Sequence, residues 1–207
     1  MRSVSANVVA VFCGGMEMQT NRKNTDCFGS LSEADKKAIK AIPASMFEPK
    51  NLPPVLDACC GTRMMWFNKK NPNALYIDKR RETFESNLPG RSPWVVDPDK
   101  LADFTDMPFP DASFYLVVFD PPHMTSLGVN AHMAKKYGRL FADWETDIRA
   151  GFAECFRVLK PMGTLVFKWN ETDVPLSKVL ELAEKEPLFG HTTGRKANTH
   201  WVCWMKF

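Results

Sequence analysis

Val117-Val118-Phe119-Asp120-Pro121-Pro122-His123 is the stretch whose reading decides the fold of this chain. Residues 114–119 form an apolar run without polar alternation, the pattern of a strand buried on both faces of a parallel sheet. Asp120 ends that run. In open α/β sheets ligands bind beyond the carboxyl ends of the strands, so an acid at that edge is placed for chemistry. The two prolines lack N–H donors and disfavour helix in the residue before them, which keeps the neighbouring carbonyls out of helix or ladder. Rigid acceptors beside the flat ring of His123 suit a planar amine. An Asp-Pro-Pro by itself also simply ends a strand in a turn, so the flanking sequence has to decide.

Upstream, residues 53–58 form a short apolar strand that runs into Asp57-Ala58-Cys59-Cys60-Gly61-Thr62-Arg63 and then Met64-Met65-Trp66-Phe67, where a helix is expected. A strand, small residues and a helix let backbone approach a ligand closely. Gly61 is the one glycine in this turn. That argues against a dinucleotide, whose pyrophosphate needs a second glycine. Ala74-Leu75-Tyr76-Ile77-Asp78 is the next strand, with its terminal acid 21 residues after Asp57. An acid at that spacing offers two acceptor oxygens to a ribose diol. Lys79-Arg80-Arg81 beside it reads as a solvated face, with phosphate contact as the alternative.

Four stretches together resemble S-adenosylmethionine-dependent amino-methyltransferases, similar to the enzymes that methylate adenine N6 in DNA. Asp120-Pro121-Pro122-His123 matches their Asp/Asn-Pro-Pro-aromatic signature, with His123 in place of the usual Tyr, Phe or Trp. The turn 57–63 looks like a degenerate first motif. Asp103-Phe104-Thr105-Asp106 followed by Met107-Pro108-Phe109-Pro110-Asp111-Ala112-Ser113-Phe114 is similar to a third signature, and Arg157-Val158-Leu159-Lys160-Pro161-Met162-Gly163 to a structural landmark before the fifth strand. The resemblance spans residues 55–207. It implies a Rossmann-like, seven-stranded, mostly parallel sheet with a C-terminal antiparallel hairpin and helices on both faces. It further implies S-adenosyl-L-methionine as cofactor, held by Asp57, Ala58, Cys59, Gly61, Asp78, Lys79, Asp103 and Phe104. Asp120 and Pro121 would then orient the acceptor amine, Pro122 would stiffen the turn and His123 would stack on the base.

Downstream, residues 124–141 are long for a loop and mix Lys135, Lys136, Tyr137 and Arg139 with Asn130 and His132. Cations interleaved with an aromatic suit phosphate and base, so this segment reads as a substrate lid; a solvated, partly helical insertion is the plainer alternative. Asp143 is placed to cap a helix closed by Pro161 and Gly163, residues 164–169 form the next strand, and Asn170 at its exit is a further substrate candidate. A helix over 174–185 and two strands over 187–191 and 200–207 complete the pattern. Arg195 and Lys196 between those strands offer a second phosphate contact.

The 207 residues suit one domain over 29–207 with a flexible N-terminal extension over 1–28. Ser30-Leu31-Ser32-Glu33 has capping-box spacing and opens a leading helix over 31–42. A formal charge of +3 permits a nucleic-acid partner without requiring one. Six cysteines without C-x-x-C spacing point away from a metal cage or disulfide framework and toward a reducing cytoplasm, and no run approaches the length of a membrane helix. The expected partner is nucleic acid, DNA before RNA, acting on a monomer or homodimer. RNA base methylation, a small-molecule or protein amine acceptor, and a non-catalytic cofactor-binding regulator are the other readings.

Overall fold

The computed structural model describes residues 52–85, 90, 92–126, 128, 131–192 and 198–207. The expected extension over 1–28, the leading helix over 31–42, and Asn130, Arg195 and Lys196 lie outside the described residues. In chain order the described elements begin with strands β1 (Val55–Asp57), β2 (Ala74–Asp78), β3 (Glu82–Phe84), β4 (Trp94–Val96), β5 (Lys100–Leu101) and β6 (Phe114–Phe119). Helices α1 (His132–Tyr137) and α2 (Trp144–Val158) follow, then β7 (Leu159–Asn170), α3 (Leu176–Leu180), β8 (Phe189–Thr192) and β9 (Thr199–Met205).

Seven strands form one sheet in the order β5-β2-β1-β6-β7-β9-β8, and β3 pairs with β4 as a separate antiparallel ribbon that the sequence did not announce. The pairs β5–β2, β2–β1, β1–β6 and β6–β7 are parallel, whereas β9 runs antiparallel to both β7 and β8. This is the Rossmann-like, mostly parallel sheet with a closing hairpin that the resemblance implies. Strand order reverses between β1 and β6, so the ligand crevice of such a sheet opens above their carboxyl ends.

The main core lies between the sheet and α2. Phe119 of β6 packs edge-on against Phe104 and Phe152, and Phe152 touches Phe167 and Trp204 from β7 and β9. Gly151 of α2 sits where a Cβ would come within 2.7 Å of both the Phe104 and Phe119 rings. Gly151→Ala is therefore expected to be destabilising despite alanine's better helix propensity, since overpacking costs about 1–3 kcal/mol against a propensity gain of about 1. A melting temperature lowered by several degrees in thermal denaturation checks it.

The two signatures at 103–114 and 157–163 are joined by one side chain. Arg157 donates to the Met107 and Phe109 carbonyls at 2.9 and 2.7 Å and to Asp111 at 2.8 Å, while Glu154 accepts from both Arg157 and the Met107 N–H. Asp111 thus pins its turn to the end of α2. Lys206 reaches from beyond β9 to the Phe156 and Leu159 carbonyls at 2.7 Å each, satisfying acceptors that the end of α2 leaves open.

Three local expectations are corrected. Met64-Met65-Trp66-Phe67 is a series of turns instead of a helix. The Trp66 indole is drawn back to Asp57, and Arg63 takes a left-handed φ of 54° with its guanidinium over Tyr76. Asp143 precedes α2 but makes no side-chain cap. The helix expected over 174–185 is shortened to α3 and a 3-10 turn over Glu181–Ala183, ended by Glu184 in the left-handed region.

Candidate active site at the strand ends

The parallel register carries four acids to one edge of the sheet. Asp57 closes β1, Asp78 closes β2, Asp103 follows β5 by two residues and Asp120 follows β6 directly. Asp57 and Asp120 flank the point where strand order reverses.

Asp57 is almost fully buried, at 1% exposure. The Trp66 indole N–H donates to it at 2.7 Å and the Cys59 backbone N–H at 3.3 Å. Burial outweighs both bonds and, with some repulsion from Asp120 and Asp78, pushes its carboxyl up to about 7. The nest therefore favours a cation. Asp78 accepts from the Gly61 N–H at 2.9 Å on one oxygen and from the Arg80 N–H at 2.9 Å on the other, tying the first turn to the end of β2. The Arg80 guanidinium also donates to the second oxygen at 3.4 Å, so it is the oxygen facing Gly61 that keeps a further acceptor site. Gly61 has φ 49°, and a Cβ there would meet nothing within 4 Å, so space lies open over the turn.

The other expected cofactor residues divide. The Ala58 N–H extends the sheet ladder to the Val118 carbonyl at 2.9 Å, and burial holds the Cys59 thiol well above its ordinary range. Asp103 accepts from the Thr105 N–H and hydroxyl at 3.0 Å each, with Lys79 at 3.9 Å on its second oxygen. The Phe104 ring is core, packed on Phe119.

At the Asp-Pro-Pro-His turn, burial raises the Asp120 carboxyl, and the Lys168 ammonium, 2.7 Å from one of its oxygens, pulls it back down. The His123 ring is held below the ordinary histidine range by burial, with Asp120 opposing and a hydrogen bond to the Pro121 backbone. It is neutral near pH 7 and lies between the Tyr137 and Trp169 rings, at centroid distances of 6.5 and 6.1 Å. Lys168 is the functional candidate that sequence reasoning passed over. Its signal was a cation inside the apolar run 164–169, and the pairing of Phe119 with Phe167 sets it beside Asp120.

The lid segment is partly helical and anchored at its root. Leu140 N–H donates to the Met124 carbonyl at 2.8 Å, and Asp173 accepts from Thr125 and Ser126 N–H groups at 2.8 and 3.0 Å. Tyr137 brings its ring to His123 and its hydroxyl to the Met64 sulfur at 3.6 Å. Lys136 lies 4.6 Å over the Trp94 ring and lines an open cleft of about 800 Å³ with Arg63, Lys69 and Lys70. Lys135 offers its carbonyl to Arg80, and the Arg139 guanidinium sits over Phe141. Asn170 is committed to the turn after β7, accepting from Thr172 and donating to Thr199. Of the four lid candidates, Tyr137 brings its ring to the Asp-Pro-Pro-His turn.

Gly138 ends α1 against that turn, with φ 78°; a Cβ there would lie 2.8 Å from Pro122 Cγ. Gly138→Ala combines that clash with left-handed strain of about 1–3 kcal/mol. The expected result is local: protease cleavage within 124–140 rises several-fold while the global melting temperature moves by only a few degrees.

Among the described residues no group of three metal-ligating side chains occurs, and no helix is long and apolar enough to cross a membrane. No family model matches this chain, and no curated protein does. Solved structures do resemble it at a distance. A protein from Pyrococcus horikoshii OT3 is 16% identical with TM-score 0.46, over 85% of this chain and 92% of that one. A SAM-dependent methyltransferase from Methanosarcina mazei is 13% identical with TM-score 0.48, over 74% and 92%. A TehB-like SAM-dependent methyltransferase from Corynebacterium glutamicum ATCC 13032 Kitasato is 16% identical with TM-score 0.45, over 79% and 86%.

Proposed function

We propose that this chain is an S-adenosylmethionine-dependent methyltransferase that acts on an exocyclic amine of a nucleic-acid base, with adenine N6 in DNA as the favoured acceptor. One observation carries the reading: acids at four neighbouring strand ends, the last of them leading into a proline-stiffened turn flanked by flat rings.

The residues present fit the cofactor. The raised carboxyl of Asp57 shows a nest that a positively charged amino-acid end would relieve. Asp78 keeps acceptor capacity for a ribose diol, and the space over Gly61 admits a bulky ligand. The Phe104 N–H and Asp103 are left for the adenine edge. When bound, S-adenosylmethionine supplies a methyl group already activated on a sulfonium.

The chain's own contribution is then placement. One Asp120 oxygen is held by Lys168, leaving the second oxygen and the remaining lone pair of the Pro121 carbonyl, whose other is taken by the His123 ring, to accept the two N–H bonds of a neutral amine and so aim its lone pair. His123, neutral and ring-flanked, stacks on a base that has left its helix. Orientation of this kind can supply several kcal/mol of the barrier. Lys136, Lys69 and Lys70, which line one cleft together with Asp97 and Asp99, would be the cations offered to a flanking phosphate backbone.

Labelled methyl transfer to double-stranded DNA, single-stranded DNA and total RNA, followed by nucleoside mass spectrometry, tests the reading. Label in N6-methyladenine of DNA is the expected outcome. Label confined to RNA moves the substrate to the other polymer, and label on neither overturns the base reading.

A further inference from the structure

We infer that Lys168 is a specificity-determining residue: with Asp120 it forms a donor–acceptor pair that reads an amine together with a hydrogen-bond acceptor one atom removed from it. This rests on the proposed transfer to an amine and narrows its substrate. The acceptor is then an amine on an amidine-like edge, as in adenine or cytosine, or a primary carboxamide, and an alkylamine is excluded.

The argument begins with the register. Phe119 pairs with Phe167, so the next residues along the parallel strands, Asp120 and Lys168, stand side by side at the rim. Their 2.7 Å contact uses one of three ammonium N–H bonds. Among the described residues Asp120 is the sole hydrogen-bonding partner of Lys168, and the Trp201 ring lies 5.9 Å from its nitrogen. Both side chains are partly open, Lys168 at 28% and Asp120 at 22% exposure. The pair is thus mostly buried yet keeps an open side toward the strand-end crevice. A pair with spare donors and a spare acceptor presents a recognition edge. A carboxylate oxygen takes the amine N–H, and the adjacent ammonium donates to a ring nitrogen or carbonyl oxygen. An alkylamine has nothing for the second position and would meet the ammonium as a like charge when protonated.

Other charged groups facing Asp120 are Asp57 from β1, His123 from its own turn and, acting on His123, Asp173 from the loop after β7. None is a second cation close to the carboxylate, so Lys168→Met leaves Asp120 with its burial uncompensated. Lys168→Arg keeps both charge and donors.

The full chain with S-adenosylmethionine is offered single-stranded oligonucleotides in which the one target is adenine, 1-deazaadenine or 7-deazaadenine, and peptides carrying glutamine or lysine. In parallel, the Asp120 carboxyl is titrated by carbon NMR without any acceptor. Wild type is expected to prefer adenine about a hundredfold over 1-deazaadenine and to accept 7-deazaadenine nearly as well as adenine, Lys168→Met to lose that preference to within threefold, and Lys168→Arg to restore part of it. The NMR titration of Asp120 should move upward in Lys168→Met and return in Lys168→Arg. Glutamine turnover that depends on Lys168 would support the pair while rejecting the base reading. Turnover of lysine, or a Lys168→Met loss equal for adenine and both analogues, overturns the inference and leaves Lys168 a structural ion pair.

Discussion

Asp120→Ala is expected to reduce methyl transfer by at least about 10²-fold, the loss that follows when a reacting group is no longer held in place, while changing cofactor affinity by no more than a few-fold. The carboxylate sits beyond β6, on the acceptor side of the strand-order reversal, and its structural partner is Lys168, not the first turn. Removing it takes away one of the two acceptors that aim the amine and leaves Gly61, Asp78 and Asp57 in place. Asp78→Ala should show the converse. It frees the Gly61 N–H, loosens the first turn and weakens cofactor binding, so its deficit falls with rising cofactor concentration. Isothermal titration with S-adenosylhomocysteine and single-turnover transfer separate the two. Equal loss of binding in both variants contradicts the division of roles.

Folding stability should fall as pH rises from about 4 to about 7, and Asp57→Asn should remove most of that fall. Burial pushes the folded carboxyl up to about 7, against the 3.8 ordinary for an aspartate in water. A folded value above the unfolded one means that the folded state holds the proton more tightly, so the stabilisation is complete below the unfolded value and is lost as pH passes the folded one. At 1.36 kcal/mol for each pH unit of separation, the span is on the order of 4 kcal/mol. Asparagine has one carbonyl oxygen for the two donors, Trp66 and Cys59, so the variant should be weaker by about 1 kcal/mol at pH 4 and stronger than wild type above pH 7. Urea unfolding across this range reads the crossing directly; parallel curves for the two proteins would exclude the assignment. A cation bound beside Asp57 stabilises its charged form, so S-adenosylmethionine affinity should rise with pH over the same interval.

Much of this architecture was legible in apolar runs that end in acids. The run 114–119 became β6, residues 74–78 became β2, and the landmark at 157–163 marks the passage from α2 to β7. What escaped was long-range. Trp66 bends the segment after β1 because its indole meets a buried carboxylate nine residues earlier, and local helix periodicity carries no trace of that bond. Lys168 is invisible as a partner of Asp120 until β6 and β7 are set in register. Asn170 looked available at a strand exit, yet its amide closes the turn that follows, as Asn often does in such positions. The cations of the lid had the right composition, but Lys136 on α1 lies over Trp94 and Arg139, beyond the end of α1, over Phe141, and it is Tyr137 that turns to His123.

Strand β9 lies between β7 and β8, although both precede it in sequence. Every backbone bond that holds β8 in the sheet therefore passes through a later segment, and β8 has no seat until that segment has arrived. The consecutive β8 and β9 can pair with each other first and dock as a unit, and until that insertion 159–170 keeps an unpaired edge. The ammonium of Lys206, which clasps the end of α2, locks the flank only after that insertion is finished.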